Sequence, residues 1–171
     1  RWHFQHGPID CIVFAEGESG AAAECVDRAW QRFRGLLEEL VAELPLLRLD
    51  LSSPAGGVAA PRRPVARRMV AACRAHATGG RFITAMAAVA GSVAEELIGA
   101  FAEPRIHRAY VNNGGDIALH LAPGASFEIG LFADPARGLA GLPLDGRFTI
   151  DGDSPVRGIA TSGWRGRSFS L

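Results

Sequence analysis

The stretch Tyr110-Val-Asn-Asn-Gly-Gly-Asp-Ile117 decides how the second half of the chain folds. Asn112, Asn113, Gly114 and Gly115 tolerate positive φ angles, so the backbone can reverse direction sharply between them. The residues at 108–111 and 117–121 on either side are of the kinds enriched in strands. The stretch therefore predicts a strand, a tight turn and a second strand.

The residues of this turn leave two uses open. A glycine pair lets a ligand approach bare backbone amides, and the adjacent carboxylate of Asp116 can hold a hydroxyl group or a metal-bound water. A simple hairpin turn closed by an asparagine side chain has the same composition.

The composition predicts a globular protein, and we expect one domain over residues 1–171, with two small lobes as the alternative that this length allows. Hydrophobic residues make up 48% of the chain, which is long enough for a sizeable core. The 18 basic residues, all of them arginine, balance 18 acidic ones, so no net charge attracts nucleic acid or an acidic membrane surface. Neither kind of partner is expected.

The cysteines predict a reducing compartment. Cys11, Cys25 and Cys73 are widely spaced and lie in no zinc-binding pattern, so we expect reduced, buried thiols in a cytoplasmic protein. No apolar run is long enough to span a bilayer. The chain starts without a leader at Arg1 and ends at Leu171 inside an expected strand, so we expect a fragment of a longer protein.

Hydrophobic periodicity predicts three helices in the first hundred residues. The first spans 21–44, with Ser19 as its N-cap and Pro45 as its stop. The second runs from Pro64 or Val65 to His76, and the third, built from small residues, spans 85–98. Alternation predicts strands at 2–15 (broken at Gly7-Pro8), 46–51 and 81–84.

From Arg105 onward the pattern is typical of an antiparallel sheet. Strands are predicted at 108–111, 117–121, 127–133, 147–151, 158–162 and 168–171, separated by turns rich in proline, glycine and aspartate. Helices followed by closely spaced strands indicate an α+β fold, with the helices packed on a largely antiparallel sheet.

Three segments of small or polar residues indicate a binding pocket. They are Ala88-Val-Ala-Gly-Ser92, Asn112-Asn-Gly-Gly-Asp116 and Ala160-Thr-Ser-Gly163. Each lies where a strand meets a turn or a helix. If they converge, backbone amides and the side chains of Asn113, Asp116, Thr161 and Ser162 line a pocket suited to a nucleotide or a flavin diphosphate.

Other polar residues give weaker signals. Ser162 is outside any nucleophile-elbow motif, and the five histidines show no metal-ligand spacing. His120 is expected to be a partly buried, hydrogen-bonded histidine, and Asp151 and Asp153 to form a turn in preference to a cation site. The arginines between 62 and 74 fit a solvated helix face, with an anion contact as the alternative.

These segments resemble ApbE-type proteins, the FAD:protein FMN transferases. That family has a helix with a Gly-Ile-Ala-Lys-Gly-like stretch, an Asn-x-Gly-Gly-Asp turn after a strand, a Trp-x-Val-Gly-Ile strand and a later Thr-Ser-Gly segment. Here Ala88-Val-Ala-Gly-Ser92, Val111-Asn-Asn-Gly-Gly-Asp-Ile117, Phe127-Glu-Ile-Gly130 and Ile159-Ala-Thr-Ser-Gly163 stand in that order. The second and fourth strings are closer still to a small ApbE-like family.

The resemblance implies a T-fold-related α+β domain that binds a flavin nucleotide, FAD or FMN, beside Mg²⁺. Its metal position falls on the backbone carbonyl of Ala90, and its lysine position falls on Gly91. The family's later histidine segment has no counterpart, and its metal-binding Asp and Thr would lie beyond Leu171. The C-terminal segment of the full fold is therefore expected to be missing.

The resulting hypothesis is an ApbE-like protein that binds a flavin or adenine nucleotide with Mg²⁺, either as a transferase or as a non-catalytic binding or assembly protein. Its partner is a small molecule, and self-association into a homo-oligomer is left open. The predicted cofactor-binding residues are Ala90, Gly91, Ser92, Asn112, Asn113, Gly114, Gly115, Asp116, Thr161, Ser162 and Gly163.

Overall fold

The computed structural model of the protein describes residues 1–53, 60–131 and 144–161. In these ranges, helices cover one face of a five-stranded antiparallel sheet, and a two-stranded hairpin packs on the opposite face. The predicted α+β class is confirmed.

The helices and strands follow one another in a simple order. The strands are β1 (Trp2–His6), β2 (Ile9–Gly17), β3 (Ile106–Asn113), β4 (Asp116–Leu121), β5 (Ser126–Leu131), β6 (Gly146–Asp151) and β7 (Gly158–Ile159). The α-helices are α1 (Ala21–Phe33), α2 (Leu36–Ala42), α3 (Leu44–Leu47), α4 (Pro64–Arg74) and α5 (Val89–Ile98). Two 3₁₀ segments, Ala85–Ala88 and Gly99–Phe101, flank α5.

The sheet has the strand order β1-β2-β3-β4-β7, and all of its pairings are antiparallel. The register sets Val13 opposite Val111 in the centre of the sheet. Because successive side chains alternate between the two faces of a strand, both valines point to the same side as Cys11 and Ala109, and all four are buried. That side faces the helices.

The main core lies between the sheet and the helices. Among its largest fully buried side chains are Phe33, Leu36, Leu47, Met69, Leu97 and Phe101. Apolar residues recur along α1 at helical spacing, and Cys25, Ala29 and Phe33 form its buried stripe. Burying such a stripe supplies most of the stability of a helix of this length in water.

The opposite face of the sheet is covered by the β5–β6 hairpin. Phe127 of β5 meets the rings of Phe14 and Tyr110 edge-on, with ring centroids 6.2 and 5.8 Å apart. Ile150 of β6 packs with Leu119 and Leu121 of β4 in a second small core. The hairpin thus covers the centre of a sheet face that would otherwise be exposed to solvent.

The single long helix predicted over 21–44 begins at Ala21 as expected, but it is broken in the middle, and its predicted N-cap and stop are wrong. The chain leaves the helical path at Gly35, so α1 ends at Phe33 and α2 begins at Leu36. Pro45 does not stop a helix; it occupies the first turn of α3, where its missing N–H costs nothing. The N-cap is Gly20, not Ser19, because the backbone there takes a φ of 82°.

The predicted strands at 46–51 and 81–84 do not form. Leu46 and Leu47, at the start of the first, belong to α3, where Leu47 is buried against the core. The two segments meet through an isolated bridge between Asp50 and Thr84, a hydrogen bond from the Leu51 amide to the Ile83 carbonyl at 2.8 Å and one from the Ile83 amide to Oδ1 of Asp50 at 3.4 Å. The predicted strand at 168–171 lies outside the described residues.

Of the cysteine prediction, the structure confirms that the three thiols are buried and unpaired. Cys11, Cys25 and Cys73 are all free thiols and all buried. Burial, reinforced by the nearby carboxylate of Asp10, raises the pKa of Cys11 to about 12, so this thiol stays protonated at neutral pH. No helix in the described part of the chain combines the length and the apolar character needed to cross a bilayer.

Candidate functional site

The turn at Asn112–Asp116 has the geometry that its residues predict. Gly114 and Gly115 form a two-residue β3–β4 loop with φ angles of 62° and 101°, and Asn113 pairs with Asp116 where the strands meet. Positive φ at both central positions is the arrangement that matches the twist of a hairpin. The Gly115 amide donates to Oδ1 of Asn112 at 2.9 Å, so the Asn112 side chain closes the turn itself.

The first turn of α5 lies directly against this hairpin. Nδ2 of Asn113 donates to the Ala90 carbonyl at 3.1 Å. A Cβ atom placed on Gly91 would lie 3.5 Å from Oδ2 of Asp116, so the helix backbone and the carboxylate are close neighbours. Two of the three segments selected from the sequence therefore meet.

The third segment reaches the same place through β7. Ile159 pairs with Ile117 of β4, and the Thr161 hydroxyl then donates to the Gly115 carbonyl at 3.0 Å. Ser162 and Gly163, which were also predicted to bind a cofactor, lie outside the described residues.

The three segments border an open cleft of about 610 Å³ between α4, α5 and the β4–β7 edge of the sheet. Small or apolar residues make up most of its walls: Ala72, Ala87, Ala88, Gly91, Ile98, Ile117, Ala118, Leu119, Gly158, Ile159 and Ala160. Its polar lining consists of Ser92, Arg68, Glu95, Asp116 and Arg157.

The charged groups of the cleft differ in how they are held. Arg68 is engaged by Glu95 at 3.1 Å, by Glu96 at 3.1 Å and by the Ser92 carbonyl at 3.2 Å. The Arg157 guanidinium donates to the carbonyl oxygens of Gly152, Ser154 and Val156 at the preceding turn. Backbone carbonyls orient a guanidinium without neutralising it, so Arg157 borders the cleft as a positively charged residue.

Asp116 has the opposite character. Among the described residues, no hydrogen bond or ion pair engages its carboxylate, although its backbone is fixed by pairing with Asn113. The carboxylate is half-buried and borders the cleft. It is therefore free to meet a ligand group from the side of the cleft.

The predicted site residues divide between two faces of α5. Gly91 and Ser92 border the cleft together with Asp116, whereas Ala90 and Asn113 border a separate cavity on the opposite face of the helix. The Ala90 carbonyl, the predicted metal position, already accepts the Asn113 amide. The described residues contain no cluster of three or more acidic, histidine or cysteine side chains that could hold a metal ion.

Sequence reasoning missed two of the charged residues of the cleft. Arg157 and Glu95 stand in no motif, and only folding brings them to the site. Arg68 belongs to the arginine-rich group between 62 and 74, and the sequence alone indicates no partner for it.

Two structural expectations are confirmed nearby. Nε2 of His120 contacts the Ile106 carbonyl at 3.2 Å, as expected for a partly buried, hydrogen-bonded histidine. Oδ1 of Asp151 accepts the Ser154 amide at 2.8 Å, as expected for a turn.

Behind Arg68 runs a chain of ion pairs that fixes its position. The carboxylate of Glu96 in α5 accepts hydrogen bonds from Nε of Arg32 at 2.7 Å and from Nη1 of Arg68 at 3.1 Å. Arg32 also donates two hydrogen bonds of 3.0 Å to Glu39. Burial alone would raise the pKa of Glu96, but the hydrogen bonds and charges of the two arginines outweigh it, so the pKa is lowered.

The Glu96→Gln substitution should lower the free energy of unfolding by about 2 kcal/mol at neutral pH, because each hydrogen bond to a charged partner contributes about 1.5–3 kcal/mol and the amide keeps part of the geometry. The pKa of Glu96 is lowered in the folded state. Its contribution is therefore complete above the ordinary glutamate value, 4.5, and is lost as the pH falls through the lower folded value. Urea unfolding of the unaltered protein and of Glu96→Gln, from neutral pH down to the lowest pH at which both remain folded, measures this difference in unfolding free energy.

Glu95→Gln is the matched control. Glu95 contacts the same arginine, but its side chain is 62% exposed, and such pairs contribute about 0.2–1 kcal/mol. A Glu96→Gln effect no larger than that of Glu95→Gln, or one that does not change with acid, would show that the ion-pair chain does not stabilise the fold.

Comparison with known proteins places the chain in a family. A family model described as "AbpE bacteria" matches residues 1–171. A protein of Methanosphaerula palustris described as "UPF0280 protein" is 30% identical over 164 residues, which are 95% of this chain and 62% of the relative. The chain thus spans less than two thirds of the length of this curated relative. Since the family model covers the whole sequence, the chain belongs to the AbpE bacteria family.

Proposed function

We propose that the cleft binds a nucleotide of the flavin or adenine type, with Mg²⁺ at its phosphates. The observation that carries this proposal is the convergence of the three small-residue segments on one cleft that has an apolar wall, a positive charge and an unengaged carboxylate. A nucleotide combines the matching parts: a flat ring, phosphates and sugar hydroxyls.

The size and walls of the cleft suit the ring. Its volume of about 610 Å³ is within the range of about 300–1,000 Å³ typical of small-molecule sites. Ala72 and Ala88 leave room beside the apolar surface of Ile98, so that a flat ring can lie against them.

The arginines suit the phosphates. The guanidinium of Arg157 is oriented by three carbonyl oxygens and has N–H groups to spare, since a guanidinium carries five. No carboxylate pairs with it among the described residues. Arg68 lies on the α4 side of the cleft, and its contact with the exposed Glu95 is one that a phosphate can replace.

Asp116 suits either a sugar hydroxyl or the hydration shell of Mg²⁺. Mg²⁺ is commonly held by one or two carboxylates together with ligand phosphates and water. The described residues fit the ion only in this shared form, because Ala90 faces away from the cleft and its carbonyl is engaged. Mg²⁺ would neutralise phosphate charge, and Asp116 would orient it.

Membership of the ApbE superfamily is part of this proposal. The order of the small-residue segments and their meeting around one helix supports it. A non-catalytic binding protein is the second candidate, since glycine stands where ApbE-type proteins have lysine. The described lining of the cleft also includes neither histidine nor cysteine. Assaying released FMN or AMP separates transfer from binding alone.

Thermal unfolding of the purified protein with FAD, FMN, ADP or ATP, each with and without Mg²⁺, tests the proposal. At a ligand concentration about 100 times Kd, stability should rise by about 2.7 kcal/mol. For a chain of this size that raises the unfolding temperature by about 5–10 °C. Riboflavin and adenosine, which lack phosphates, serve as controls and should shift it much less. The absence of a shift with all four nucleotides would refute the proposal.

A further inference from the structure

A second cavity lies on the face of α5 opposite the cleft. Gly91, Ser92, Glu95 and Ile98 border the cleft, whereas Val89, Ala90 and Val93 border this cavity. At 100° per residue the two sets lie about half a turn apart. We refer to the second space as the apolar cavity. It is closed by the β1–β2 turn, α2, α3 and the end of β3, and its volume is about 320 Å³.

The cavity is large for a protein interior. Interiors are packed as densely as organic crystals, and a dry cavity of about 150 Å³ already accepts benzene. The walls of this one are aliphatic, from residues including Leu37, Leu40, Leu44, Leu47, Val89 and Val93. Such walls leave an enclosed water without hydrogen-bond partners, so the space favours an apolar occupant.

Two polar residues interrupt the aliphatic lining. Asn113 is 8% exposed, and its Nδ2 is committed to the Ala90 carbonyl. No described residue donates a hydrogen bond to its Oδ1, which leaves that acceptor for an occupant. Arg48 at the end of α3 is exposed, borders the cavity and has no acidic partner among the described residues.

The opening is marked by exposed apolar surface. Val41 of α2 borders the cavity and is 56% exposed. Arg48 also borders the cavity and is exposed, so an occupant entering from solvent meets both apolar surface and a positive charge at the rim.

We propose that the apolar cavity binds a small aromatic or branched aliphatic molecule that carries one anionic group. The hydrocarbon part fills empty volume against the leucines and valines, and its removal from water favours binding. The anionic group pairs with Arg48, and a donor on the hydrocarbon part can reach Asn113. This site is separate from the nucleotide cleft, since α5 lies between them.

Two fluorescent probes test the proposal on the purified protein. Anilinonaphthalene sulfonate has an aromatic body and a sulfonate, and N-phenylnaphthylamine has a similar body without the charge. We expect saturable binding of one sulfonate probe per folded chain. Val41→Trp, at an exposed position that tolerates a larger side chain, should weaken both probes at least tenfold by obstructing the opening.

Arg48→Gln distinguishes the contribution of the positive charge from that of the apolar walls. It should weaken the sulfonate probe about tenfold and leave the neutral probe within about twofold, because only the former gains a charge-assisted hydrogen bond. Ala72→Trp, which fills part of the cleft instead, should leave both probes unchanged. Circular dichroism and cooperative urea unfolding establish that each variant is folded.

Three results would overturn the proposal. They are the absence of saturable binding to the folded protein, unchanged binding in Val41→Trp, and equal loss of both probes in Arg48→Gln. If Val41→Trp is destabilised, Val89→Phe, which fills the cavity from α5, replaces it, and probe binding at full strength in that variant also contradicts the site.

Discussion

Gly17→Ala is expected to reduce the free energy of unfolding by about 3 kcal/mol or more, the upper part of the range for overpacking. Gly17 ends β2 at an irregularity in the β2–β3 register. A Cβ atom added there would lie 2.2 Å from the Arg105 carbonyl oxygen and 2.9 Å from the Cα of Ile106. Both neighbours are backbone, so neither can rotate away, and the strands must separate.

The backbone that lies against Gly17, at Arg105 and Ile106, is also where β3 begins. The Glu18 amide donates to the same Arg105 carbonyl at 2.8 Å, so a displaced strand loses this hydrogen bond as well. At its other end, β3 leads into Asn112 and Asn113 of the candidate site. Loosening the β2–β3 pairing should therefore reduce ligand binding along with stability.

Urea unfolding followed by circular dichroism measures the effect, and Gly99→Ala is its control. Gly99 is exposed, has a helical φ of −55° and has open space around the added Cβ. Alanine there should stabilise the protein by about 0.4–1 kcal/mol, because it restricts the unfolded chain. If Gly17→Ala unfolds at the same urea concentration as the unaltered protein, the close approach of the two backbones is not a fixed feature of the fold.

The sequence predicted best what depends on neighbouring residues. The β3–β4 hairpin follows from Asn112, Asn113 and two glycines, because positive φ angles at a two-residue turn leave few alternatives. The buried stripe of α1 follows from helical spacing in the same way. In both cases the structure is determined by residues that are close together in the sequence.

What the sequence did not reveal depends on distant contacts. The residues at 46–51 alternate as a strand would, yet Leu47 is buried in the core and ends a short helix, after which the chain turns and reaches an isolated bridge at Asp50. The small residues of α5 gave no amphipathic signal, so the division of Ala90 from Gly91 between two cavities was not foreseen. Arg157 reaches the cleft only through the pairing of β7 with β4.

This division sharpens what the turn at Asn112–Asp116 can do. Asn112 and Asn113 are occupied by the turn itself and by the Ala90 carbonyl, which are structural roles. Asp116 is the member whose side chain faces the cleft without an engagement among the described residues. A ligand-binding role for the turn therefore depends on this carboxylate.

Asp116→Asn should weaken binding of the Mg²⁺–nucleotide complex about 10–100-fold, because a hydrogen bond to a charged group contributes about 1.5–3 kcal/mol. At a concentration that is 100 times the original Kd, the stabilisation should fall from about 2.7 to at most about 1.4 kcal/mol. The unfolding temperature without ligand should change little, since the carboxylate supports no described contact and asparagine suits the turn.

Asp10→Asn is the control for this last substitution. Asp10 also follows a tight turn, but it is exposed, pairs with His3 at 2.7 Å and lies outside the cleft. It should retain the full nucleotide shift. If Asp116→Asn keeps the full nucleotide-induced rise in unfolding temperature, the carboxylate is not part of the binding site. A large drop in unfolding temperature without ligand would instead mean that Asp116 supports the hairpin. Only weakened binding in a protein of unchanged stability assigns Asp116 to the ligand, because the substitution keeps the shape of the side chain and removes its charge.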